Sequence, residues 1–151
     1  MAVTEEGIAR DLTAAMKARD AQRVAVLRSV VAAAKHLKVE RRVSTLDEDA
    51  LVQVLRREVR QREEAEAFAR QAGREDLASQ NRAERSILEA YLPLPVGAED
   101  LARAVREALD GGAPRQMGAV MATLRERYGA RLDGKQASEV ARRILAEPAG
   151  G

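Results

Sequence analysis

Tyr91-Leu92-Pro93-Leu94-Pro95-Val96-Gly97 is the stretch that decides the fold. Two prolines in three residues remove two amide donors and push the residues before them out of the helical region, so a helix must stop there. On both sides the chain is rich in Ala, Leu, Arg and Glu at helical spacing. An all-α protein is therefore expected: an N-terminal helical domain over residues 1–92 and a small three-helix C-terminal domain over residues 96–151, joined by a short stiff connector.

Working back from the connector, a helix from Glu75 to Tyr91 carries Leu77, Ile87, Leu88 and Leu92 but is polar from Ser79 to Arg82, so it must lean on its neighbours. Ahead of it, Thr45-Leu46-Asp47-Glu48 matches a capping box and opens a long helix that Gly73 ends. Its buried stripe begins with Leu51, Val52, Leu55 and Val59 and thins through Arg62, Ala65, Phe68 and Ala69. In its charged middle, Arg60 and Glu64, and Arg62 and Glu66, stand four apart as pairs of an exposed face, contributing about 0.2–0.5 kcal/mol each. Asp20 caps an earlier helix reaching about Val39, with Val24, Leu27, Val30, Val31, Ala34 and Leu37 as its apolar face. Ile8, Leu12, Ala15 and Met16 line a short helix before that.

Forward from the connector, Leu101, Val105, Ala108 and Leu109 form the first of three short stripes, closed by Gly111-Gly112. Pro114 suits the first position of the next helix, which carries Met117, Val120, Met121, Leu124 and Tyr128 and stops at Gly129. Asp133 then caps a helix that buries Ala137, Val140, Ala141, Ile144 and Leu145. Gly118 sits inside the middle helix at a cost of about 1 kcal/mol relative to alanine. Close packing by another helix is the expected reason, a ligand the alternative.

Composition narrows the chemistry. The chain has 151 residues and only three aromatics, Phe68, Tyr91 and Tyr128, so aliphatic residues and alanines must build the core. With no cysteine, disulfides, thiolate catalysis and thiol-ligated zinc are excluded. No window approaches the roughly 18 apolar residues of a membrane span, and a cytoplasmic protein without membrane partners is expected. His36 stands alone, without a serine or cysteine partner, and reads as a surface or boundary residue. No acid pair lies in an apolar context, no phosphate loop follows a strand, and no metal-ligand spacing occurs. Accordingly no catalytic residue, metal or cofactor is expected.

What remains is basic surface. Between residues 115 and 143, Arg115, Arg125, Arg127, Arg131, Lys135, Arg142 and Arg143 face only Glu126, Asp133 and Glu139. The loop from Tyr128 to Lys135 brings Arg127, Arg131 and Lys135 to a helix N-terminus whose amides favour an anion, and Gly134 there allows close backbone approach. A secondary stripe is formed by Arg28, Lys35 and Arg42, spaced by seven, with Lys38 beside them; a solvated helix edge is the plainer reading of it. Arginine outnumbers lysine 22 to 4 throughout, a bias that is not itself a sign of RNA binding.

The ordered series Ala15-Met16-Lys17-Ala18-Arg19-Asp20, Leu27-Arg28, Lys35, Asp47-Glu48, Gly73-Arg74-Glu75-Asp76-Leu77-Ala78, Tyr91-Leu92-Pro93, Met117-Gly118-Ala119-Val120-Met121 and Asp133-Gly134 resembles the GatB/YqeY family of small proteins. Each piece is weak; their order and spacing are specific. Asn81-Arg82-Ala83 and Pro95 depart from the usual pattern. The resemblance implies a C-terminal domain similar to the tail of the B subunit of tRNA-dependent amidotransferases, where the tail engages tRNA and the amide chemistry sits in other domains and subunits. Similar modules are fused to some glutaminyl-tRNA synthetases. The function so implied is a tRNA-binding accessory module without catalysis, with tRNA and an aminoacyl-tRNA synthetase or amidotransferase subunits as partners. Two alternatives stand beside it. One is participation in glutamine-dependent amidation of misacylated tRNA, a carbon–nitrogen ligation; the other is a protein-interaction module using Met117, Met121 and the alanine-rich faces.

Overall fold

Helix boundaries follow the places where a side chain or a glycine takes over unpaired backbone groups. In the computed structural model, which describes residues 2–148, the all-α expectation holds: seven α-helices and no strand occur among the described residues. α1 (Glu5–Lys17) starts at Thr4, whose hydroxyl accepts from the Gly7 amide at 3.0 Å. α2 (Ala21–Arg41) starts at Asp20 as its sequence requires, accepting from the Arg23 amide at 3.1 Å. α3 (Glu48–Gln71) ends in a left-handed turn at Gly73, φ +72°, where the Arg74 amide reaches back to the Ala69 carbonyl at 2.8 Å. α4 (Glu75–Glu89) folds back on it, stopping two residues short of Tyr91.

After the connector come α5 (Ala98–Asp110), α6 (Met117–Tyr128), a 3-10 turn (Gly129–Arg131) and α7 (Gly134–Leu145). The chain divides into two compact units, Met1–Leu92 and Pro93–Gly151. Met1 and residues 149–151, at the outer ends of the expected domains, lie outside the described residues.

Two expected helix starts are corrected. The Thr45 box does not form; Asp47 caps α3 instead, accepting from the Ala50 amide at 2.9 Å. The Leu46 amide is already held by Glu5 Oε2 at 3.0 Å, which fixes the preceding loop and delays entry into the helix. Nor is Pro114 the first residue of α6: the Gln116 amide binds the Pro114 carbonyl at 2.8 Å in a tight turn, and Gln116 becomes the residue before the helix.

The core of the N-terminal unit is Ile8, Val26, Leu27, Val30, Leu51, Leu55 and Leu88, with Val54 and Ala34 beside them. Val26 replaces Val31 on the inward face of α2; Val31 is exposed. In α3 the buried stripe does not thin as expected. Continued at helical spacing from Leu51 and Leu55, it passes through Glu58, Arg62, Glu66 and Ala69, so Phe68 is left 74% exposed while Glu58 and Glu66 are each 5% exposed. The pairs follow that burial. Glu66 meets Arg70, Arg82 and Arg85, each at 3.0 Å, instead of Arg62. Arg62 turns to Glu58 at 3.3 Å and Glu84 at 4.0 Å, and Glu58 also accepts from the Ser29 hydroxyl. Among the described residues no ion pair joins Arg60 to Glu64. This polar seam ties α3 to both α2 and α4, and it is how α4, poor in apolar residues, finds its place. Tyr91 adds a clasp, its hydroxyl donating to Asp11 on α1 at 2.5 Å.

In the C-terminal unit Leu101, Val105, Val120, Leu124, Ala137, Ala141 and Ile144 form the core at the positions their periodicity assigned, and Val96 of the connector joins them. Gly118 is the exception. It is exposed, and a Cβ there would meet nothing within 4 Å, so helix packing is not its reason.

Candidate functional site

The C-terminal unit sorts its cations into those that hold the fold and those left to solvent. Arg115, in the loop before α6, donates through Nη2 to the carbonyls of Ile144 and Leu145 at 3.4 Å and of Glu147 at 3.0 Å. A guanidinium at the end of α7 satisfies carbonyls that have no helical partner and suits the negative end of the helix dipole. Arg127 leaves α6 to meet Glu107 of α5 at 2.7 Å, with its guanidinium 5.4 Å from the Tyr128 ring centre. The Glu107 hydrogen bond raises its pKa further, so it stays charged but neutralised. Arg115 and Arg127, though exposed, thus have partners within the unit.

Arg131 has a mixed position. Its Nε donates to the Leu94 carbonyl at 3.3 Å and its own carbonyl accepts from the Val96 amide at 3.4 Å, which fastens the connector residues to the 3-10 turn. The residue is nevertheless exposed, and among the described residues no ion pair neutralises it. Four residues on, Lys135 lies in the first turn of α7, exposed and without an ion pair among the described residues. Arg142 is seven residues further, about 20° away on the same helix face, and donates to the Ser138 hydroxyl at 3.5 Å. Arg143 and, on α6, Arg125 are exposed and free of ion pairs among the described residues. Glu139 interrupts the strip between Lys135 and Arg143.

Of the expected triad, Arg127 is paired with Glu107 while Arg131 and Lys135 have no ion pair among the described residues, and Arg142 continues from them along α7. The helix N-terminus is also already served: Asp133 Oδ1 accepts from the Lys135 amide at 3.0 Å. A phosphate would be met there by side chains more than by backbone amides. Gly134 is exposed, with open space where a Cβ would stand.

On α2 the secondary stripe is cut to two members. Lys38 pairs with Glu5 Oε1 at 2.7 Å, a contact that holds the Glu5 carboxyl below its ordinary value. Arg42 caps the helix in a left-handed conformation, φ +57°, and so leaves its face. Arg28 and Lys35 remain exposed.

Sequence reading missed the seam of Glu58, Arg62 and Glu66, although the signal was there in phase: spacings of three and four from Leu55 reach each of them. Their chemistry is structural, because among the described residues no buried side-chain polar atom lacks a hydrogen-bond partner. No group of three or more His, Asp or Glu among those residues could hold a metal ion, and no described helix is long and apolar enough to cross a membrane.

A family model described as "Yqey-like protein" matches residues 5–145. Among curated proteins, none matches the chain.

Proposed function

The chain belongs to the family of YqeY-like proteins, and on that premise we propose that it is a tRNA-binding accessory module without catalysis of its own. The observation that carries this reading is the strip of Arg131, Lys135 and Arg142, exposed and, among the described residues, without an ion pair, while neighbouring Arg127 is held by Glu107. The resemblance of Met117-Gly118-Ala119-Val120-Met121 and Asp133-Gly134 to the amidotransferase B-subunit tail supports tRNA as the polyanion. Aromatic platforms are missing from this strip, so recognition rests on backbone and shape more than on stacking of unpaired bases.

Lys135 and Arg142 are the residues to test, because Arg131 also braces the connector. A titration of bulk tRNA at two salt concentrations would compare the wild type, Lys135→Glu with Arg142→Glu, and a control reversal of Arg103, which pairs with Asp100 at 3.2 Å. We expect the double variant to bind at least about tenfold more weakly and to show a shallower salt dependence, by somewhat under one unit per lost phosphate contact. Equal affinity of all three proteins overturns the assignment of this strip; no binding by the wild type overturns the tRNA reading.

A further inference from the structure

The outer face of α2 sets exposed apolar residues among its cations, and no described residue of the N-terminal unit covers it. Inward, Val26, Leu27, Val30 and Ala34 are buried. Outward, Val31 is 40% and Val39 71% exposed, and Met16 of α1, 49% exposed, opens a shallow groove with Ala21, Val24 and Ala25 between Arg19 and Arg28. Lys35 and Val39 lie within about 20° of Arg28 around the helix. α2 carries five Lys and Arg residues against one acid, Glu40. Three of the five are occupied: Arg23 by Asp20 at 3.7 Å, Lys38 by Glu5 at 2.7 Å and Arg41 by Gln53 at 3.3 Å. Arg28 and Lys35, which alternate along the helix with the exposed Val31 and Val39, have no ion pair among the described residues.

We infer that this face docks an amphipathic helix of a partner protein, one whose apolar ridge is edged by Asp and Glu. From Ala21 to Val39 the surface runs about 27 Å, which suits an occupant of about five turns. Ala25 and Ala32 are small and exposed, letting a second backbone come close. Carboxylates on the occupant then reach Arg28 and Lys35, while its apolar side chains cover Val31, Val39 and Met16. Nucleic acid fits the face less well: two cations without an ion pair among the described residues neutralise few phosphates across such a length, and Val31 and Val39 beside them would be covered without gain. A second copy fits poorly too. A two-fold pairing of α2 with its symmetry mate about the point between Val31 and Ala32 would set Arg28 against the mate's Lys35, like charge on like. The inference is independent of the tRNA reading, which uses the other unit.

The test uses the full chain and a designed, fluorescein-labelled helical 18-residue peptide with a leucine ridge edged by glutamates. A matched peptide edged by lysines is the control. Expected are amide shifts confined to the outer face of α2 and the end of α1, and at least about tenfold weaker binding by the lysine peptide. Val31→Ser with Val39→Ser should cost about tenfold in affinity. Arg28→Glu with Lys35→Glu should reverse the preference between the two peptides, a swap that a merely structural role of these residues would not produce. Equal binding of the two peptides, shifts elsewhere, or no binding of the acidic peptide overturns the inference. So does bulk tRNA moving the α2 resonances where the acidic peptide does not, or a concentration-dependent dimer that Arg28→Glu abolishes.

Discussion

Glu66 is the residue on which α4 depends. Its carboxylate is 5% exposed and receives Arg70, Arg82 and Arg85 at once. Because the arginines can swing to water when the acid is lost, its removal should cost less than the 3–5 kcal/mol of a fully buried pair. Glu66→Gln should lower stability by about 1–3 kcal/mol in urea unfolding, whereas Glu64→Gln, on the exposed face, should stay within about 0.5 kcal/mol. Similar losses for both would mean that the seam is ordinary surface charge. Tyr91 offers a second check. Burial first, and then the Asp11 carboxylate, push its phenol from 10.0 up to about 12. A hydroxyl whose folded pKa is raised contributes stability that is complete below pH 10 and is lost as pH climbs through about 12. Urea midpoints should fall across that window in the wild type, and Tyr91→Phe should flatten the fall; parallel curves would deny the Asp11 contact. At Gly118, where open space awaits a side chain, alanine should raise the melting point, by at most about 1 kcal/mol in stability. A lowered melting point would restore the packing account.

Among the elements, α3 shows how a local signal loses to a neighbour. Thr45 and Asp47 are both good caps by type, but Glu5 binds the Leu46 amide from another helix and only Asp47 is left at the helix mouth. Asp47→Ala should therefore destabilise by about 1 kcal/mol while Thr45→Ala costs a few tenths, measured as thermal shifts of the intact chain. The reverse order would reinstate the capping box. The phase of α3 carries a second lesson. Its large aliphatic residues run out at Val59, and beyond that point identity points to Phe68 while the line through Leu55 and Glu58 continues to Arg62 and Glu66. Geometry prevails because α4 brings Arg82 and Arg85 to the same line, so burying the acid is compensated. No reading of α3 alone contains those arginines.

For the molecule as a whole, the connector sets the experiment. A fragment of residues 96–147 should be helical and only marginally stable, since about 50 residues bury little surface without staples; a cooperative thermal transition below that of the full chain is the expected result, and its absence would mean that the fragment lacks a core of its own. The helix class, the stop at the two prolines, the glycine ends and most core positions of the C-terminal unit, though not Val96, Ala102, Ala104 or Leu132, were legible in the chain, because propensity, capping and apolar period act within one or two turns. Less of the candidate site was legible. Seven cations between Arg115 and Arg143 are equivalent as letters, and they differ only in what stands opposite: Glu107 claims Arg127, the end of α7 claims Arg115, the Leu94 carbonyl takes one nitrogen of Arg131, and Lys135 and Arg142 are left to solvent. Partners distant in sequence make that division, through bonds whose reach is a few ångströms, and a linear pattern of charge holds no record of such distances.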